Sequence, residues 1–265
     1  MRDLPRSAAL AAWGSAVLAG AASIDDAVSA VQADDLPHSL DLAAVPLDPP
    51  VDGLVGLFAG LRRAGVTRLR LHLPVEGDLA GLPGPPAFNT AALEVGECVV
   101  TEDGLPCGFV PSVVQHGHPE ADDEALDTAT SVVWRGFAIS PVGHMAGHSD
   151  LSECRQSLLT TLAEASDDLE RLDTVNWGGD PAPGLDRVRH RSVSAGMPPG
   201  TPGRAAQVLD LAWRVRAVVE LAQRDDGGAV NAWETGQRQH ALRRLDVVSR
   251  HAVVAAVNAA LEPAR

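Results

Sequence analysis

The sequence predicts an α+β fold, in which a small, mainly antiparallel sheet in the middle of the chain packs with a bundle of long helices. Three observations predict it. Residues 66–75 alternate between apolar and polar side chains, as a half-buried strand does. Asp103-Gly104 is typical of a tight hairpin turn. From Leu151 onward, apolar residues recur every three or four positions, which is helical spacing. The bundle is expected to combine the N-terminal helix with helices of the C-terminal half.

The N-terminal region predicts one long helix over residues 7–33. Arg2 and Arg6 precede a mild apolar run at 8–22, which superficially matches a secretory signal. The helical spacing of apolar residues continues past any cleavage point, however, and this favours a structural helix. The positions that carry this spacing are Leu10, Trp13, Val17, Ala21, Ile24, Val28 and Val31.

The sheet region is expected to begin after a short helix at 54–64, which Gly65 ends because glycine adopts the left-handed cap conformation at least cost. In the strand at 66–75, the alternation predicts one buried face and one polar face. The other predicted elements are a helical segment at 88–93 and strands at 97–101, 105–115 and 128–139.

The C-terminal half predicts three long helices, at 151–172, 205–224 and 231–261. The apolar stripe of the first of these has the spacings 3, 4, 4, 3, 4, 3, which are those of the N-terminal helix. This period is typical of helices that pack lengthwise, so the two helices are expected to be partners.

We expect a single domain over residues 1–265. Its sub-regions are a first helix at 7–33, a sheet region at 54–140 and a helical region at 150–262.

Composition and charge exclude several classes of function. The net charge is −14, which repels a phosphate backbone, so the sequence predicts no nucleic-acid partner. No run of about 18 apolar residues predicts a membrane span, and no membrane partner is expected. The three cysteines are an odd count without a CxxC pair, which is typical of a reducing, cytoplasmic environment. Cys98 and Cys107 flank the hairpin and could face each other, but small buried hydrophobes are the expected role.

Four segments resemble a group of uncharacterised proteins from GC-rich actinobacteria. They read LPVEGD at 73–78, LPGPPAFN at 82–89, AALEVGE at 91–97 and AVNAA at 256–260. All 21 basic residues are arginine, which also indicates a GC-rich genome. The resemblance implies an origin and no activity, because the group has none that can be carried over.

A histidine-rich stretch is the most suggestive chemistry in the chain. Two histidines four residues apart, with a carboxylate, can bind a divalent metal when they lie on one helical turn. The neighbouring glycines at 143 and 147 argue against a helix, and Met145 stands where a zincin has its catalytic glutamate. The alternative is a loop with incidental histidines, in which Ser149 or Asp150 caps the next helix. The candidate metal ligands are His144, His148 and Asp150, with His116 and His118 upstream.

Arg68, Arg70 and His72 fall on the polar face of the predicted strand at 66–75, with Arg135 on a neighbouring strand. They suggest a local anion-binding patch. The alternatives are a solvated sheet face, or arginines that pair with the abundant carboxylates. Trp177 lies outside the apolar periodicity and would mark a binding surface if it is exposed.

No nucleophile motif or phosphate-binding loop is present, since the chain lacks GxSxG, GxGxxG and any lysine, and no cofactor is predicted. This favours a non-catalytic binding or interaction protein over an enzyme. Its partner would be another protein or a second copy, and alanine-rich helices would permit close packing in a homodimer. The alternative is a metal-dependent hydrolase that uses the five candidate ligands named above.

Overall fold

The computed structural model describes residues 4–47, 51–79, 81–116, 129–141, 150–172, 192–224 and 232–260. The predicted α+β fold is confirmed, because the described residues form seven α-helices and a five-stranded, mostly antiparallel sheet. The helices are α1 (Arg6–Leu18), α2 (Ile24–Gln32), α3 (Gly53–Arg63), α4 (Pro86–Val95), α5 (Leu151–Leu172), α6 (Gly203–Arg224) and α7 (Ala232–Ala259). The strands are β1 (Ser39–Asp41), β2 (Leu69–His72), β3 (Cys98–Thr101), β4 (Cys107–His116) and β5 (Ala129–Ala138).

The chain forms two compact units. The first consists of Met1–Gly147, Gly196–Gly200 and Leu261–Arg265, and the second of His148–Ala195 and Thr201–Ala260. Within the described residues, the first unit contains the sheet and α1 to α4, while the second contains α5 to α7. None of the described helices has the length and apolarity that a membrane crossing requires.

The sheet has the strand order β1-β5-β4-β3-β2. The predicted turn at Asp103-Gly104 joins β3 to β4, which pair antiparallel as expected. The sequence did not predict β1, a strand of three residues that pairs in parallel with β5. A strand this short carries too few residues for alternation to be recognised.

Helices cover both faces of the β2–β3 part of the sheet. On one face, Gly14 lets α1 approach β2, since a Cβ atom there would lie 2.5 Å from the Leu69 side chain. The hydroxyl of Ser15 both accepts from the Leu69 N–H (2.8 Å) and donates to its carbonyl (3.0 Å). On the other face, Phe88 and Ala92 of α4 form a buried cluster with Val100 and other strand residues.

The prediction of one N-terminal helix at 7–33 is wrong, because two helices occupy this region. Gly20 adopts a positive φ of 73° after α1, and few residues other than glycine reach that conformation at low cost. Ser23 then caps α2 by accepting a hydrogen bond from the Asp26 N–H at 3.0 Å. α1 packs against β2 and α2 within the first unit.

The second unit is a helical assembly in which α7 packs against both α5 and α6. Its helices lie close to the ranges that periodicity predicts, because all three carry long apolar stripes. The alanines of these stripes are buried within the unit, which brings the helices close together. They are Ala165, Ala205, Ala212, Ala241, Ala252, Ala255 and Ala256.

Candidate functional site

The predicted anion-binding residues lie at one edge of the sheet, on β2 and just before it. Arg70 and His72 pair with Val100 and Cys98 of β3, and this is the sheet face that α4 covers. Both are buried, so the expectation of a solvated polar face is wrong. Alternation identified which residues share a face, but it could not reveal that both faces of this strand are covered.

Glu102 neutralises the arginines of this edge. Its carboxylate accepts a hydrogen bond from Arg70 Nη2 at 2.7 Å and lies 3.6 Å from Arg68 Nε. Next to it, Thr67 donates to the carboxylate of Asp103 at 2.7 Å. An anion would have to compete with Glu102 for the same guanidinium groups. The geometry therefore agrees with the alternative in which the arginines pair with carboxylates. Arg135, on β5, lies apart from them over the ring of Phe137, at 5.4 Å.

A buried polar chain that sequence reasoning missed ties α1 to the other edge of the sheet. Arg6 donates two hydrogen bonds of 2.8 Å to the carboxylate of Asp35. His38 Nε2 lies 3.3 Å from the same carboxylate, and Trp134 Nε1 lies 3.1 Å from His38 Nδ1. Because an indole N–H can only donate, His38 Nδ1 is the acceptor and Nε2 carries the proton that faces Asp35. The contacting pairs are separated by up to 96 positions, and no local pattern signals their contact.

The candidate metal ligands fall only partly within the described residues. His116 ends β4, where its Nε2 lies 2.7 Å from the hydroxyl of Ser131 on β5. Asp150 precedes α5 and accepts hydrogen bonds from the N–H groups of Ser152 (2.6 Å) and Glu153 (3.3 Å). The Ser152 N–H, with the other hydrogen bonds at this helix start, lowers the pKa of the Asp150 carboxyl. Asp150 thus caps α5, as the alternative expectation had it.

The remaining members of the metal set, His118, His144 and His148, lie outside the described residues, as does Trp177. Among the residues that the structure describes, no three His, Cys, Asp or Glu side chains cluster as metal ligands would.

Two of the three cysteines, Cys98 and Cys107, are fully buried. Cys98 and Val100 lie two positions apart on β3, so they point to the same face of the sheet. Gly108 of β4 pairs directly with Val100 and therefore lies on that face as well. Cys107, next to Gly108, therefore points to the opposite face, and the two thiols do not face each other. Burial raises the pKa of the Cys98 thiol, and the negative charge of Glu97 raises it further. Burial also raises the pKa of the Cys107 thiol, to about 12. Neither thiol is activated as a nucleophile.

We expect one thiol per native chain to react rapidly with Ellman's reagent, and three after denaturation. The reactive thiol is Cys154, which is partly exposed on α5, whereas the other two are buried. Cys154→Ser should leave no fast-reacting thiol in the native protein. Rapid reaction of that variant would contradict the burial of Cys98 and Cys107.

The last five residues of β4 and the first five of β5 form a two-stranded extension of the sheet, which we call the β4–β5 arm (residues 112–116 and 129–133). β4 pairs with β5 along this whole length, from Ser112↔Val133 to His116↔Ala129. On its other side, β4 pairs with β3 only at Phe109 and Gly108. Among the described strands, the arm therefore has an open edge along residues 112–116.

The arm exposes two valines and carries no acidic or arginine side chain. Val113 is 40% exposed and Val114 is 48% exposed, and they point to opposite faces of the strand. The arm contains no Asp, Glu or Arg, in a chain that has 35 acidic and 21 basic residues. Pro111, which lacks an N–H donor, marks where the pairing with β3 has ended. Sequence reasoning predicted both strands but missed that one edge stays open.

Comparisons with known proteins identify a family that spans the chain. The model for "Rv1486c-like protein, N-terminal domain" matches residues 7–148, and the model for its C-terminal domain matches residues 152–254. The boundary between these matches lies close to position 147, where the first compact unit gives way to the second.

Three mycobacterial proteins are similar over nearly the full length, with 97% of this chain and 98% of each relative covered. Uncharacterized protein Rv1486c and uncharacterized protein MT1533, from two strains of Mycobacterium tuberculosis, are each 28% identical. Uncharacterized protein ML1804 from Mycobacterium leprae is 27% identical. No solved structure matches significantly. The resemblance to uncharacterised actinobacterial proteins is confirmed, and the chain belongs to the Rv1486c-like protein family.

Proposed function

We propose that this protein is a non-catalytic interaction protein that binds an extended polypeptide segment along the open edge of the β4–β5 arm. The observation that carries the proposal is the edge at residues 112–116, where exposed valines flank a strand that the described residues pair on one side only. A strand of another polypeptide that adds to such an edge gains main-chain hydrogen bonds and side-chain contacts on both faces.

Within the described part of the chain, the arm lacks the features that usually protect an open edge. Natural sheets place charged residues or prolines along such strands, or cover them with a helix or loop. Here Pro111 lies at the start of the open stretch, and no charged side chain follows in residues 112–116. Valine also favours the extended conformation and packs well against a facing strand. These properties support pairing with another strand as the purpose of the arm.

The test compares Val113→Lys/Val114→Lys with a matched control. Val218, on α6, is 43% exposed, so Val218→Lys adds charge at an equally exposed valine outside the arm. We expect the double arm variant to abolish both self-association and complexes with other polypeptides, measured by native mass spectrometry and light scattering. The control should behave as wild type. If arm and control variants retain the same associations, the proposal is wrong.

The two arginines at the β2 edge do not carry this proposal. Arg70 and Arg68 already share the carboxylate of Glu102, and Arg70 and His72 are buried. A binding surface there would require the Arg70–Glu102 pair to open. An odd count of three cysteines without a CxxC pair is in keeping with a reducing, cytoplasmic location, which we include in the proposal.

The competing function is metal-dependent hydrolysis through His116, His118, His144, His148 and Asp150. Two of these groups already have structural partners, since His116 contacts Ser131 and Asp150 caps α5. A hydrolytic zinc site keeps three protein ligands on the metal and an open position for water.

The metal alternative predicts stoichiometric zinc in the purified protein, whereas the interaction proposal predicts none. We expect elemental analysis to find less than one zinc per ten chains, and thermal unfolding to be unchanged by added zinc. As a control, His144→Ala/His148→Ala should not alter either result. A zinc-induced rise in Tm that this variant removes would favour the enzyme, because selective binding to the folded state stabilises it.

A further inference from the structure

We propose that the polypeptide on the open edge is a second copy of this chain, whose β4 pairs antiparallel with this β4 about a two-fold axis at Val114. The inference rests on the proposed function and names its partner. Val113 and Val114 of the arm are 40% and 48% exposed, so the arm presents apolar side chains beside an edge that a second copy can pair with.

The register follows from the pleat. Across an antiparallel pair, directly opposite residues lie on the same face of the sheet, so two-fold pairing matches residues whose numbers differ by an even number. A pair centred on Val114 places Ser112 opposite the partner's His116, Val113 opposite the partner's Gln115, and Val114 opposite itself. This register uses the whole open stretch and stops short of Pro111, which cannot donate a hydrogen bond.

Charge favours a second copy over a charged partner. The whole chain carries −14, so two copies repel each other over most surfaces. The arm itself has no Asp, Glu or Arg, so the five residues that each copy contributes to the pairing include no acidic side chain and no arginine. A strongly basic partner could form no ion pair with the arm, because the arm has no carboxylate, and an acidic partner could form none because the arm has no arginine. The arm thus fits a neutral, β-branched strand, which is what its own copy offers.

The size of the contact sets its strength. Five residues on each side bury much less than the roughly 1,200–2,000 Å² of total surface that stable interfaces bury. The dimer is therefore weak and concentration-dependent, and it dissociates on dilution.

The test exploits the two-fold axis at Val114. Val114→Lys and Val114→Glu each place like charges opposite each other, so each variant alone should dimerise at least tenfold more weakly than wild type. An equimolar mixture places Lys opposite Glu and should recover the dimer. Sedimentation velocity over a dilution series measures both results. The same swap at Val113, which faces Gln115, should show no such recovery in the mixture.

Disulfide trapping provides a second readout. On a Cys154→Ser background, Val114→Cys should cross-link two chains under mild oxidation, because the paired Cα atoms would lie within disulfide range. Val218→Cys, equally exposed on α6, is the matched control and should cross-link much more slowly.

The outcomes separate this inference from the proposed function. A wild-type protein that stays monomeric up to the highest concentration, or charge-swap mixtures that stay monomeric, would overturn the homodimer. If the arm variants then still abolish a complex with a different polypeptide, the proposed function stands and only its partner changes. If the arm affects no association, both fail.

Discussion

Replacing His38 with alanine is expected to lower the free energy of unfolding of the first unit by about 3 kcal/mol. His38 is almost fully buried and accepts a hydrogen bond from the indole of Trp134. Alanine leaves a cavity and a buried indole N–H without this acceptor, and it removes a partner from Asp35. Leaving a buried donor unsatisfied alone costs about 1–3 kcal/mol. Urea denaturation followed by circular dichroism measures the change.

A double-mutant cycle separates the hydrogen bond from the loss of packing. Trp134→Phe removes the donor while it keeps an aromatic ring in the core, and it should also be destabilising. The destabilisation of the double variant His38→Ala/Trp134→Phe should be about 1 kcal/mol smaller than the sum of the two single-variant destabilisations, because both single changes break the same hydrogen bond. His38→Gln, which retains an acceptor and a donor, should recover part of the loss. Strictly additive effects would show that the Trp134–His38 contact contributes nothing.

The second large effect is expected at Gly104, in the turn between β3 and β4. Gly104 has a positive φ of 68°, and a Cβ atom there would lie 2.4 Å from the carbonyl carbon of Gly65 and 2.5 Å from its oxygen. These are backbone atoms that cannot turn away as a flexible side chain can. Gly104→Ala should therefore cost more than about 3 kcal/mol, since it combines backbone strain with a clash.

Gly77→Ala is the matched control for Gly104→Ala. Gly77 also has a positive φ, of 84°, but an added Cβ would meet no atom within 4 Å. Its substitution should cost only the left-handed strain, about 1–2 kcal/mol. The difference between the two variants, measured by chemical denaturation, isolates the contact with Gly65. Equal losses at both positions would contradict the close approach of the two turns.

The candidate site could be predicted in part. The Asp103-Gly104 turn predicted β4 as the returning strand, and a run of apolar residues that includes Val132 predicted β5. They could not predict that β3 pairs with β4 for only two residues, because the length of a ladder depends on a strand elsewhere in the chain. The open edge is a property of the pairing and has no signature in β4 itself.

The edge at β2 shows a second limit. The sequence correctly placed Arg70 and His72 on a face different from that of Leu69 and Leu71, since side chains alternate along a strand. Polar residues on one face ordinarily predict exposure to water. Here both residues are buried beside Val100 and Cys98 of β3, and Glu102, 32 residues from Arg70, compensates the guanidinium charge. Burial of a charged side chain depends on whether a partner is available, and that partner comes from another strand.

Local patterns were sufficient for the α+β class, the β3–β4 hairpin, the three C-terminal helices and the actinobacterial resemblance. Each depends on residues within a few positions of one another, where period and turn chemistry act directly. The tertiary structure decided which residues complete the Arg6–Asp35–His38–Trp134 chain and which edge of the described strands remains open. These features depend on contacts between residues up to 96 positions apart, and the free energy of such contacts is set by packing that no single segment contains.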